Sequence, residues 1–294
     1  MNDPRPPTID PVAAARWQQR PQPVSPWLHE EVARRMEPRL DWIVRRPRSW
    51  LHWEPVRGGL QAQALLAQRY PEARCEVHAV VPQEQTLAVR AAKRPWWRAL
   101  GTALKPPPAL PPELLWANMS LHMSADPQAL IAQWHEALAV DGFLMFSCLG
   151  PDTLRELRAL YQALGWPAPA HEYTDMHDWG DMLVSAGFAE PVMDMERIEL
   201  SFETPQRLLQ ELRELGRNLH PARFAGLRGR RWQGRLHEAL GQLADADGRL
   251  RLSFEIIYGH AFKPQRRLTV APETRLSLDE MRGSLRRGRG PAPG

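Results

Sequence analysis

Residues 48–60 read Arg-Ser-Trp-Leu-His-Trp-Glu-Pro-Val-Arg-Gly-Gly-Leu, and their types and spacing carry the most chemistry in the chain. An apolar run, Trp50–Trp53, enters a turn that holds Gly58 and Gly59 and leads into an apolar-periodic stretch. A strand, a glycine-bearing turn and a helix in this order present amide N–H groups and a helix N-terminus to a nucleotide cofactor. Glycine lets the backbone come close and accept positive φ. Only Gly58 and Gly59 do so here, because Trp53-Glu54-Pro55-Val56-Arg57 fills the rest of the turn. Valine and glutamate bring Cβ atoms and resist positive φ. The turn therefore poses a choice. Either a cleft stays open above Gly58, with Trp53, Gly58 and Gly59 as cofactor contacts, or Trp53, Glu54 and Arg57 fill it.

Other residues join by position. Asn118 and Met119 follow a compact apolar strand, where open parallel sheets take their ligands. His177, in Asp175-Met176-His177-Asp178, is a pocket candidate, set against plain helix capping by the aspartates. Arg213, on an amphipathic helix, has the fork geometry that holds a carboxylate, set against a solvated face. His171 and His177 lack a third ligand in register, so no metal site is expected. Cys75 and Cys148 have no partner at ligand spacing and read as small buried residues. No catalytic base is singled out.

These positions need elements to hold them. Residues 1–24 are proline-rich and read as an arm. Helices are expected over 26–46 (kinked at Pro38, with Ser25 as cap), 60–69, 83–94, 127–138, 152–163, 178–187, 205–215 and 228–243. Strands are expected over 50–53, 76–81, 114–118, 143–149, 192–196, 198–202 and 250–262. Pro95 to Pro112, with Pro106-Pro107-Pro108, excludes helix and central strand. Strand–helix alternation up to residue 149 predicts a parallel, doubly wound sheet. One domain over 25–265 is expected, with a helical cap near 205–245. The tail, 266–294, loses apolar periodicity and is expected to be disordered.

The 294 residues are 43% apolar, enough for a large core. No apolar run reaches the roughly 18 residues of a membrane span, and residues 1–11 lack a signal-peptide core. A cytoplasmic protein without a membrane partner is expected. The net charge is +4, carried almost wholly by arginine. Arginines gather in 223–235 and 282–289, as a solvated face or as a patch for an acidic partner. No zinc-finger or RNA-binding motif accompanies them, so nucleic acid is not expected.

Several segments together resemble one family. They are Leu114-Leu115-Trp116-Ala117-Asn118-Met119-Ser120-Leu121-His122, Trp134-His135-Glu136-Ala137-Leu138, Asp141-Gly142-Phe143 and Phe254-Glu255-Ile256-Ile257-Tyr258-Gly259-His260-Ala261. The most specific is Leu149-Gly150-Pro151-Asp152-Thr153-Leu154-Arg155-Glu156-Leu157. They are similar to the malonyl-acyl-carrier-protein O-methyltransferases of biotin synthesis, class I S-adenosylmethionine-dependent methyltransferases. The resemblance spans roughly residues 25–263 and is denser after 112. It implies an α/β Rossmann-like class I methyltransferase sheet with a helical cap insertion. It also implies S-adenosylmethionine as cofactor and malonyl-loaded acyl carrier protein as partner. The reaction is methylation of the malonyl carboxyl, and a carboxylate needs no base to act as nucleophile. In that frame Trp53, Gly58, Gly59, Asn118 and Met119 would meet the cofactor, and His177 and Arg213 the substrate.

The pattern departs from the family in its first half. His52 stands at the family's aspartate, and Glu54, Val56 and Gly58 stand at its three glycines. The second strand ends in Val80-Val81-Pro82 without the acid that takes ribose hydroxyls, and Glu84 is the nearest carboxylate downstream. The stretch 96–110 has no acidic residue, and Gln22 stands near the family's arm tyrosine. These departures predict weak cofactor binding. They leave two alternatives: a non-catalytic protein of the same fold that binds a carrier or enzyme partner, and a methyltransferase of another substrate.

Overall fold

Strand β4 (Phe143–Leu149) is buried at every position, as a nearly continuous apolar run must be when both faces of a strand are covered. It lies central in a six-stranded sheet of order β2-β1-β3-β4-β6-β5. The other strands are β1 (Ser49–Trp53), β2 (Arg74–His78), β3 (Leu114–Ala117), β5 (Ala189–Phe202) and β6 (Leu250–Phe262). β1 to β4 run parallel, and β6 runs antiparallel to both β4 and β5. This computed structural model describes residues 9–92 and 110–265. Most of the expected irregular stretch 95–112 and the expected disordered tail 266–294 lie outside those residues. The chain divides into Met1–Pro264 and Gln265–Gly294.

Two apolar clusters cover the sheet. One gathers Leu28, Met36, Trp50, Trp116, Phe143 and Tyr258. The other gathers Trp53, Leu115, Ile131, Trp134, Phe146 and Trp179. The helices are α1 (Pro11–Gln18), α2 (Trp27–Met36), α3 (Pro55–Gly58), α4 (Ala62–Arg69), α5 (Pro82–Ala92), α6 (Pro127–Ala137), α7 (Arg155–Ala163), α8 (Met176–Ser185), α9 (Pro205–Leu215) and α10 (Arg230–Gly241). No helix among the described residues is long and apolar enough to cross a membrane.

Several expectations need correction. The arm contains a helix, α1. Asp10 caps it by accepting from the amides of Val12 and Ala13, and Ala14 and Trp17 bury against Ile9 and Leu219. Two turns are too short for periodicity to reveal. Ser25 does not cap α2; its hydroxyl accepts from the Leu60 amide instead, tying α2 to the turn after β1. After α2 the chain tightens to a 3₁₀ turn, Glu37–Trp42, at Pro38. The expected pair of strands around Arg197 is one strand, β5. Arg197 points outward to Asp152 at 2.7 Å, so the alternation continues across it.

The family-like segment 149–157 works as a brace. The Glu255 carboxylate accepts from the Asp152 amide at 2.6 Å, and Glu156 accepts from both amide and hydroxyl of Ser253. A side chain at Gly150 would collide with Glu255, its Cβ falling 2.7 Å from the carboxyl carbon. These bonds fix the β4–α7 turn onto β6.

Candidate functional site

The strand order reverses between β1 and β3: β2 lies to one side of β1 and the next strand in sequence to the other. Open sheets bind ligands at such a reversal, beyond the carboxyl ends of the strands. A cavity of about 510 Å³ lies there. Trp53 and Glu54 reach it from β1, His78 and Val80 from β2, and Met119 and Ser120 from β3. Trp17, His29, Met123 and Leu215 border it from α1, α2, the loop after β3 and α9.

The turn after β1 keeps a left-handed residue without glycine. Glu54 takes φ 48° and ψ 53°, against the expectation that glutamate would resist it. Two bonds hold it there. Its amide donates to the His78 carbonyl at 2.7 Å, and its Oε1 accepts from the Val80 amide at 2.8 Å. Its Oε2 is buried with no hydrogen-bond partner among the described residues, and the nearest cation, Arg57 Nε, is 3.8 Å away. Burial raises the Glu54 pKa, opposed by the Val80 amide. Met119, across the cavity, is a second non-glycine residue at positive φ, 52°. Such residues cost roughly 1–3 kcal/mol each and gather at ligand sites. The Ser120 hydroxyl nearby is also buried and unpartnered among the described residues.

Aromatic groups form one wall. His78 stacks on Trp53 with centroids 4.0 Å apart, and Trp134 meets Trp53 edge-on at 6.0 Å. His29 Nδ1 lies 2.6 Å from the Arg57 carbonyl. A carbonyl only accepts, so Nδ1 carries the proton and Nε2 is the bare nitrogen. Burial pushes the His29 pKa down to about 4, so the ring is neutral near pH 7.

Arg57 is spent on protein. Its guanidinium meets the Glu84 carboxylate through Nε and Nη2, each at 3.0 Å. It also donates to the carbonyls of Trp17, Gln18 and Arg20 at 3.4, 3.0 and 2.7 Å. Glu84 in turn accepts from the Gln22 amide at 2.8 Å. The turn thus latches α1 and its trailing segment to α5.

The other singled-out residues fall as follows. Trp53 and Met119 line the cavity. Gly58, Gly59 and Asn118 lie outside its lining and build the turn beneath. A Cβ on Gly58 would stand 2.6 Å from the Asn118 carbonyl oxygen. The Asn118 amide donates to the carbonyls of Gly58 and His29, and its oxygen accepts from Ser147 at 2.5 Å. Gly59 sits at φ 112° against His29 and Glu30. His177 is exposed on the surface, paired with Asp175 at 2.6 Å. Arg213 is exposed and borders a smaller recess with Arg20 and Arg217. Val56, which stands at one of the family's glycine positions, is buried in the turn and lines a different groove, beside Leu60 and Leu65. His52 is fully buried with neither ring nitrogen partnered among the described residues. No cluster of metal-ligating side chains occurs among the described residues.

Sequence reasoning missed His29, Ser120 and the latch. Glu84 had been noted only as a carboxylate one helix too late. Its spacing from Ala88, one turn further along the same buried face of α5, was the available signal that it points inward and needs a cation.

No protein-family model matches the chain. Curated relatives do. A malonyl-acyl-carrier-protein O-methyltransferase of Laribacter hongkongensis is 36% identical over 252 residues, covering 82% of this chain and 84% of the relative. Another, of Gallionella capsiferriformans, is 37% identical over 254 residues, covering 82% and 86%. Among solved structures, the YcgJ protein of Bacillus subtilis overlays with a TM-score of 0.49 at 12% identity, covering 80% of this chain and 99% of that one. The N-methyltransferase NodS of Bradyrhizobium japonicum, solved with S-adenosyl-L-homocysteine, overlays with a TM-score of 0.38 at 15% identity, covering 87% and 98%.

Proposed function

The chain belongs to the malonyl-acyl-carrier-protein O-methyltransferase family, and from that premise we propose that it methylates the free carboxyl of a malonyl group borne by acyl carrier protein, with S-adenosylmethionine as donor. The resulting ester hides a charge so that the chain can be elongated toward biotin.

The observation that carries this reading is Glu54 Oε2, buried without a hydrogen bond among the described residues, with only the Arg57 charge 3.8 Å away, in an open cavity where the sheet reverses. A buried carboxylate oxygen without a donor is costly, so it calls for a ligand hydroxyl or ammonium. Ser120 Oγ offers a second such contact. The cavity volume lies in the range that small ligands and cofactors occupy. Trp53, His78 and Met119 give it apolar walls for a nucleoside. Trp53, Glu54 and Arg57 border this space and leave it open, which favours an enzyme over a non-catalytic binder.

When bound, S-adenosylmethionine would supply an electrophilic methyl on a sulfonium sulfur for transfer to the malonyl carboxylate. The residues here hold and shield that encounter. Glu54 and Ser120 would orient the nucleoside. Trp17, Met123 and Leu215 would exclude water, with α9 and α10 as the cap. Gly58, Gly59 and Asn118 keep the turn in shape. A carboxylate is already deprotonated near pH 7, so no proton needs to be removed for it to attack.

The test is calorimetric titration of the full chain with S-adenosylmethionine, followed by mass spectrometry of malonyl-loaded carrier protein for an added methyl. Saturable binding is expected, weakened roughly tenfold by Glu54→Gln. A wild-type chain that binds no nucleoside, or leaves the malonyl carrier unmethylated, overturns the reading.

A further inference from the structure

Three guanidinium groups with no carboxylate of their own meet beside the cleft. Arg20 follows α1, Arg213 lies in the last turn of α9, and Arg217 comes just after it. With Gln210 and Glu214 they border a recess of about 270 Å³. Trp17, Gln22 and Glu214 border both this recess and the main cavity, so the two share a wall. Neighbouring arginines are neutralised: Arg207 pairs with Glu211, and Arg223 with Asp10. Among the described residues, Arg20, Arg213 and Arg217 have no such ion pair. The one carboxylate in the recess wall, Glu214, accepts from Gln210 at 3.2 Å.

The cluster is held in place. Arg217 donates to the carbonyls of Arg213 and Gly216, and its guanidinium lies 5.3 Å from the Trp17 ring. The backbone at Arg20 is gripped by Arg57 at 2.7 Å. Burial, and after it the charges of Arg20 and Arg213, lower the Arg217 pKa.

We propose that this recess is an anion subsite for the carrier-borne substrate, taking a carboxylate or phosphate group at the mouth of the cleft. The assignment of the anion to a substrate rests on the methyltransferase reading above. Two groups on a malonyl carrier have this chemistry: the malonyl carboxylate, and the phosphodiester that joins the thiol arm to the carrier. Guanidinium forks suit both.

Calorimetry on the full chain separates them with three probes: malonyl-pantetheine (carboxylate only), acetyl-phosphopantetheine (phosphate only) and malonyl-phosphopantetheine (both). Arg20→Gln, Arg213→Gln and Arg217→Gln are each expected to weaken binding roughly tenfold and to reduce its salt dependence. Loss confined to malonyl-pantetheine and its phosphorylated form assigns the carboxylate. Loss confined to the two phosphorylated probes assigns the phosphate. Arg45→Gln, which removes the same charge from the pair with Asp141 at 3.5 Å, is the control and leaves all three affinities unchanged. Unchanged S-adenosylmethionine affinity in every variant shows that the fold persists. A triple variant that binds all three probes like wild type overturns the subsite. Arginine-dependent binding without methyl transfer would instead sink the methyltransferase reading and leave the subsite standing.

Discussion

Replacing Arg57 by methionine isolates the latch. Glu84 has a side-chain exposure of 0% and Arg57 of 15%. Removing the guanidinium strips the carboxylate of two bonds at 3.0 Å and leaves it only the Gln22 amide at 2.8 Å. Breaking a buried pair from one side costs about 3–5 kcal/mol, because an uncompensated charge stays behind. Arg57→Met should therefore lower unfolding free energy in urea by at least that amount. The double variant, Arg57→Met with Glu84→Met, removes the stranded charge and should recover the part of the loss due to it. What remains is the three carbonyl bonds to Trp17, Gln18 and Arg20, partly exposed and worth about 0.5–1.5 kcal/mol each. Trypsin separates the two roles. Cleavage after Arg16 should quicken in both the single and the double variant, since both release α1. A single variant that costs under about 1 kcal/mol, or a double variant whose loss equals the sum of the singles, refutes the reasoning.

Gly58→Ala tests packing under the turn: its Cβ would sit 2.6 Å from the Asn118 backbone oxygen, so α3 must part from the end of β3 and stability should fall by about 1–3 kcal/mol in scanning calorimetry. An unchanged melting temperature would remove Gly58 from that role. Acid sensitivity follows from buried neutral histidines. Burial holds His52 near 3 and His29 and His171 near 4, against an ordinary value near 6.5. A base with a depressed folded pKa contributes fully above about pH 6.5 and loses that contribution as pH falls toward the folded value, because only the unfolded chain takes up protons. At pH 5 each of the three gives up about 2 kcal/mol, so urea midpoints should fall steeply between pH 6.5 and 4, and His52→Phe should flatten the slope. A flat profile over that range would show these rings to be protonated in the fold.

The sheet was legible because its strands announce themselves: Phe143–Leu149 is apolar but for Ser147, and Leu250–Tyr258 alternates. α1 was not, since two turns bury only Ala14 and Trp17. In the site, Trp53 and Met119 could be placed from their positions at strand ends. Gly58, Gly59 and Asn118 lie one layer lower, because spacing along the chain cannot tell a backbone that faces a ligand from one that faces a neighbouring strand. His29 and Trp17 come from segments before β1 and enter the cleft through tertiary packing. Arg20 and Arg217 are nearly two hundred positions apart, a juxtaposition set by the latch and the end of α9 and by no local pattern.

The loss of glycines in the turn after β1 predicts weak cofactor binding only if three separate duties are assigned to one motif. The structure divides them. Positive φ is a conformational duty, and Glu54 meets it at 48°, the strain offset by its bonds to His78 and Val80. Close approach is a spatial duty, and Val56 meets it by turning its side chain away into the groove beside Leu60. Tight packing against β3 is the third, and there no side chain fits, so Gly58 remains glycine. The substitution at Glu54 also moves a charge. Its carboxylate bonds to the amide of Val80, at the end of β2, where Val80 and Val81 offer no acid of their own. A residue that cannot be read as a glycine replacement in sequence is thus, in space, a carboxylate delivered to the neighbouring strand. The degenerate motif is for that reason compatible with nucleoside binding, and Glu54→Gln, which keeps the shape and removes the charge, is the variant that separates the two duties of this one residue.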